Sequence, residues 1–125
     1  MKNKVLIVED SAVILKILKH LAKQNLELEP LFASSMQDAR TLYQQHKEQL
    51  FAGIIDLALP DGPNGELVDF LLAEDFPIVV LTGSYNEQRR EALINKGVVD
   101  YVVKESRYSY RYAINMLNRL YRNQK

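Results

Sequence analysis

The chain has 125 residues, 47% of them hydrophobic, enough for one domain that buries roughly two-thirds of the surface its unfolded chain exposes and needs no covalent staple. It has no cysteine, which excludes disulfides and thiolate metal sites. It also lacks any apolar run near the about 20 residues that span a bilayer, and MKNKVLIVED does not read as a secretory signal, so a soluble cytoplasmic protein is expected. Sixteen Lys/Arg balance sixteen Asp/Glu, but Lys104, Arg107, Arg111, Arg119, Arg122 and Lys125 face only Glu105 in the tail; this argues against direct nucleic-acid binding and for a local basic face on the last helix.

Short apolar runs alternate with helical periodicity throughout, with no repeat, low-complexity tract or linker, so residues 1–125 read as one unit. KVLIV (4–8) is the first predicted strand. After Ser11, residues Ile14, Ile17, Leu18 and Leu21 follow the i, i+3, i+4, i+7 helical pattern, with Lys16, Lys19 and Lys23 on other faces. LEPLF (28–32) is a weaker strand because Pro30 lacks a donor, and Ser35 can cap a second helix carrying Met36, Ala39, Leu42 and Tyr43. AGIID (52–56) is the third strand, followed by a helix expected from near Asn64 that uses Leu67, Leu71 and Leu72. IVVLT (78–82) precedes a helix started by Asn86 and closed by Gly97, and VDYVV (99–103) precedes the last helix. Strands three to five read as buried. The last helix repeats Tyr110, Ala113, Ile114, Leu117, Leu120 and Tyr121 along one stripe, which is read as core.

Strict β/α alternation implies right-handed crossovers and a parallel sheet with helices on both faces, and sites in such folds lie outside the carboxyl ends of the strands. That rule gathers Glu9, Asp10, Asp56, Thr82 and Lys104 on one rim. Any one acid there could be a helix cap. Three together disfavour one another's ionisation and either hold protons or recruit a hard cation, for which Mg2+ fits best because it takes one or two carboxylates plus water and phosphate oxygens. Asp56 is then a candidate covalent nucleophile, and the Thr82 hydroxyl and Lys104 ammonium are what an incoming phosphoryl group needs.

The motifs VEDS, IIDLALPDG, VVLTGS and DYVVK, in this order and spacing, resemble the receiver domain of response regulators across essentially the whole chain. The resemblance implies a CheY-like, flavodoxin-like doubly wound α/β fold: a five-stranded parallel sheet in the order 2-1-3-4-5 with five helices. It implies Asp56 as phosphoacceptor, Glu9, Asp10, Asp56 and the Ala58 backbone carbonyl as Mg2+ ligands, Thr82 and Lys104 as phosphoryl contacts, and Thr82 with Tyr101 as the switch pair. It further implies a histidine kinase or phosphotransfer protein as donor, and an output domain or partner protein as receiver of the signal. The only catalysis expected is the domain's own phosphorylation and hydrolysis; nothing in the chain carries cyclase chemistry. The run from Lys96 to Leu117 is similar to receivers of multidomain regulators, some attached to diguanylate cyclase domains, so the chain is either a stand-alone domain or a module of a longer one. A weak homodimer through the face bearing the last helix is a further expectation.

Two departures from the family pattern stand out. Glu105 replaces the usual proline after the lysine, and since a non-proline cis bond costs about 3 kcal/mol, the Lys104–Glu105 peptide is expected to be trans. The stretch LPDGPNG is one residue longer than the common version, which leaves the loop into the third helix open. Ala58 and Ser84 occupy positions that in the family tune dephosphorylation, and neither delivers an attacking water by charge, so modest hydrolysis is expected. A nucleotide or flavin module is disfavoured because EDSAV offers two acids and no glycine where a phosphate would sit. A receiver-like scaffold that binds a partner without phosphorylation is the remaining alternative. His20 and His46 belong to no motif, and Tyr108, Tyr110 and Tyr112 with the nearby arginines are a candidate contact surface.

Overall fold

The computed structural model describes residues 2–124. Ten elements alternate: β1 (Lys4–Val8), α1 (Ala12–Asn25), β2 (Glu29–Ala33), α2 (Met36–His46), β3 (Leu50–Asp56), α3 (Glu66–Ala73), β4 (Ile78–Thr82), α4 (Glu87–Asn95), β5 (Asp100–Val103) and α5 (Arg107–Asn123). The five strands form one parallel sheet in the order β2-β1-β3-β4-β5, as expected for the flavodoxin-like receiver fold. Among the described residues no helix is long and apolar enough to cross a membrane, and Lys125 of the basic tail lies outside them.

The period-2 alternation of strand side chains builds two separate cores. Val5, Ile7, Ile54, Val79, Leu81 and Val102 face α1 and α5, whereas Leu6, Val8, Ile55, Ile78, Val80 and Tyr101 face α2, α3 and α4. The central strands β3 and β4 are covered on both faces, which is why their sequences are apolar runs without polar alternation. Ala113, Ile114 and Leu117 of the α5 stripe are fully buried beside Tyr110, while Leu120 and Tyr121 are only half-buried at its end. Buried Asn118 extends that stripe with a polar residue.

Helix starts follow local side-chain chemistry where a short polar residue is present. Ser11, Ser35 and Asn86 accept from the N–H groups of Ile14, Asp38 and Arg89, satisfying donors left open by the first helical turn. The third helix departs from this. It starts at Glu66 rather than near Asn64, because Gly65 enters it at φ 80°, a left-handed conformation with no side-chain cap. A Cβ on Gly65 would also stand 3.1 Å from Leu57 Cδ1.

Within the 57–65 loop a turn is closed by Gly62 N–H, which donates to Leu59 O at 3.0 Å. Asp61 pins that turn: its two carboxylate oxygens accept from Met36 N–H at 2.8 Å and Gln37 N–H at 2.9 Å, at the N-terminus of α2. The Lys104–Glu105 peptide is trans, as expected, there being no cis bond among the described residues.

Candidate functional site

The carboxyl ends of β1, β3, β4 and β5 bring together the predicted residues. Glu9 follows β1 and is fully buried. Its Oε2 accepts from Ser11 N–H at 3.0 Å, and its Oε1, which makes no other hydrogen bond, lies 2.7 Å from Lys104 Nζ. Asp10 next to it is exposed. Asp56 closes β3 and is only 3% exposed. Its Oδ1 accepts from Ala58 N–H at 3.1 Å and its Oδ2 lies 3.2 Å from Lys104 Nζ, so the carboxylate is held from both sides. One oxygen from each of Glu9, Asp10 and Asp56 falls within 4.8 Å of the other two.

The electrostatics separate the two buried acids. Burial pushes Glu9 up to about 7, outweighing its bonds to Lys104 and Ser11, and the neighbouring Asp56 charge adds to the rise. Burial also pushes Asp56 up, but the Ala58 N–H, the Lys104 charge and a hydrogen bond with Asp10 outweigh it and hold its carboxyl below the ordinary value. Asp56 therefore keeps the negative charge a nucleophile needs. Burial lowers Lys104, and the Glu9 and Asp56 carboxylates more than reverse this, so it stays an ammonium. Three carboxylates against one lysine leave a negative excess with oxygen-only donors, the composition that suits a hard divalent cation.

Thr82 ends β4 and is buried, but its hydroxyl does not point its hydrogen bond at Asp56. It donates to Ser84 O at 3.2 Å, and the Tyr101 hydroxyl donates to the same carbonyl at 3.3 Å. Tyr101 itself is buried on β5. Ala58 and Ser84 are exposed beside the site, and their side chains carry no charge. His20 and His46 lie on α1 and α2, outside the rim cluster. Of the three tyrosines after Lys104, Tyr110 belongs to the core, while Tyr108 and Tyr112 are exposed beside Tyr85 in a hollow that also includes Asp100 and Glu105.

Sequence reasoning assigned Lys104 to phosphoryl oxygens and did not foresee its ion pair with Glu9. The opposite charges at two strand ends were visible in sequence; which acid the ammonium would choose was not. Tyr85 was also missed. It stands in the β4–α4 segment immediately after VVLTGS, and only the fold brings its ring onto Tyr101.

Comparison with known proteins gives a consistent answer. Residues 5–110 match the family model described as "Response regulator receiver domain". Two solved chains are similar at 41% and 40% identity: a putative two-component system response regulator/GGDEF domain protein, TM-score 0.88, and a probable one, TM-score 0.89. The alignments cover 98% and 99% of this chain and 49% of each solved chain, so this chain spans about half their length. The methanogenesis regulatory protein FilR1 of Methanothrix harundinacea is 34% identical over 77 residues, which are 59% of this chain and 17% of that protein.

Proposed function

We propose, from the premise that this chain belongs to the response regulator receiver domain family, that Asp56 takes a phosphoryl group from the phosphohistidine of a kinase or phosphotransfer protein. The α4–β5–α5 face then reports the change to an output domain or partner. The observation that carries this reading is the Asp56 carboxylate, buried, ionised and fixed between Ala58 N–H and the Lys104 ammonium.

An Asp56 carboxylate oxygen attacks phosphorus, the P–N bond to the donor's imidazole breaks, and its electron pair goes to the ring nitrogen, leaving an acyl phosphate. Lys104, now bonded to Glu9, supplies positive charge to the transferring oxygens. The Thr82 hydroxyl turns from Ser84 O toward a phosphoryl oxygen. Held by Glu9, Asp10, Asp56 and the Ala58 carbonyl, Mg2+ would neutralise charge on both the nucleophile and the phosphoryl group. A shallow apolar hollow lined by Val13, Lys16, Ile17, His20 and Arg107 opens between the first half of α1 and the start of α5, and suits a helix presenting the donor histidine.

Residues 1–125 transfer only their own phosphoryl group. An attached output domain, of which GGDEF in the two solved relatives is one kind, belongs to this proposal. With uncharged side chains at Ala58 and Ser84, hydrolysis is slow, and loss of labelled phosphate within seconds would count against that.

The decisive experiment is mass spectrometry of the protein incubated with Mg2+ and acetyl phosphate, beside Asp56→Asn and a chelator control. A metal-dependent phosphoryl adduct absent from the variant is expected. No adduct and no beryllofluoride binding would leave a phosphate-independent scaffold.

A further inference from the structure

The geometry points to Tyr85 as the residue that positions the Tyr101 switch ring, a role that rests on the switch reading above and adds a residue to it. The segment between β4 and α4 is exposed from Gly83 to Asn86, and Tyr85 is 60% exposed. A large ring in so open a loop would ordinarily be free in water. Here it stands edge-to-face on Tyr101, with centroids 6.4 Å apart and planes at 80°.

The same loop grips Tyr101 at its other end, since the Tyr101 hydroxyl donates to Ser84 O. Residues 84 and 85 thus hold the switch ring at both its hydroxyl and its body. The Ser84 carbonyl has two lone pairs and accepts from Thr82 and Tyr101 together. When Thr82 turns its hydrogen bond to a phosphoryl oxygen, that carbonyl keeps Tyr101 as its side-chain donor. The ring contact between Tyr85 and Tyr101 does not involve Thr82.

Tyr85 therefore favours the inward Tyr101 ring, the orientation in which the Tyr101 hydroxyl reaches Ser84 O. An edge-to-face aromatic pair biases such an equilibrium by about two- to twelvefold. The contact is between rings, so phenylalanine should serve at this position and alanine should not.

The test is carried out on the free protein by NMR of ring-13C tyrosine, with Tyr101→Phe identifying the Tyr101 signal and a soluble gadolinium chelate reporting ring exposure. Tyr85→Ala should raise chelate-induced relaxation at Tyr101, and Tyr85→Phe should match the wild type. Because Tyr85 is mostly exposed, both variants are expected to fold. Unchanged relaxation in Tyr85→Ala, or equal release in Tyr85→Phe, overturns the proposal.

Beryllofluoride titration then reads the coupling. Affinity in Tyr85→Ala should fall by the factor by which the inward fraction falls, and a released ring with wild-type affinity would overturn it. If the wild type binds no beryllofluoride, the phosphoacceptor reading has failed, and the relaxation of the free protein still decides the role of Tyr85.

Discussion

Replacing Asn118 by alanine should destabilise the domain by about 2 kcal/mol without touching the phosphoryl site. Asn118 is a buried polar residue on α5. Its Oδ1 accepts from Glu27 N–H at 2.9 Å and its Nδ2 donates to Asn25 O at 2.8 Å, tying α5 to the turn between α1 and β2. Each hydrogen bond contributes about 1 kcal/mol net, and the backbone partners left behind are part-buried, so water restores only some of the loss. The neighbouring Arg122–Glu27 ion pair is exposed and adds about 0–1 kcal/mol. The amide therefore dominates this junction, and Arg122→Ala should cost less than Asn118→Ala.

For a chain of this size about 2 kcal/mol corresponds to a fall in Tm of roughly 6–10 °C. Urea unfolding should show a lower midpoint at unchanged slope. The junction lies at the amino end of the strands, opposite the carboxyl ends that carry Asp56, since α5 runs from the Lys104 side toward the start of β2. Beryllofluoride affinity of the folded variant should stay within twofold of wild type. A stability loss under about 0.5 kcal/mol would refute the hydrogen-bond reasoning, and a large affinity loss would refute the separation of this junction from the site.

Lys104→Met should weaken beryllofluoride binding by about 10- to 150-fold, the worth of a charge-assisted contact of roughly 1.5–3 kcal/mol; a titration unchanged within twofold would remove Lys104 from the site. Asp61→Ala should lower Tm at neutral pH by freeing the Met36 and Gln37 N–H groups. Those two bonds depress the Asp61 pKa, so its contribution is full above the unfolded value of about 3.9 and is lost as pH falls through the lower folded value. The Tm difference between wild type and variant should thus close only below about pH 4, and a gap that persists at pH 2 would contradict the bond assignment. Gly53→Ala should cost about 1–3 kcal/mol on thermal unfolding, because its Cβ would lie 2.8 Å from Leu6 O on the neighbouring strand and 3.1 Å from the Phe76 ring. An unchanged or raised Tm would show that β1 and β3 can part to admit a methyl group.

What the sequence determined by itself is whatever depends on neighbours along the chain. Ser11, Ser35 and Asn86 cap their helices because the donors they satisfy lie three residues ahead. The apolar runs of β3 and β4 announce strands covered on both faces, and alternation with helices then forces a parallel sheet whose rim collects Glu9, Asp10, Asp56, Thr82 and Lys104. Boundaries moved by one or two residues, as at β2 (Glu29–Ala33 against 28–32), β3 (Leu50–Asp56 against 52–56), β5 (Asp100–Val103 against 99–103) and α3, which follows Gly65 with no side-chain cap.

Contacts between distant segments were decided by tertiary structure alone. Lys104 pairs with Glu9 as well as Asp56 because three strand ends converge at one depth. Asp61 of the 57–65 loop reaches the start of α2, and the polar residue in the α5 stripe is Asn118 meeting the α1–β2 turn. Tyr85 meets Tyr101 only because β4 and β5 lie side by side in register. Such contacts depend on the register and separation of packed elements, which residue order constrains through the whole fold at once, whereas caps and periodicity are set within one turn of helix or one strand.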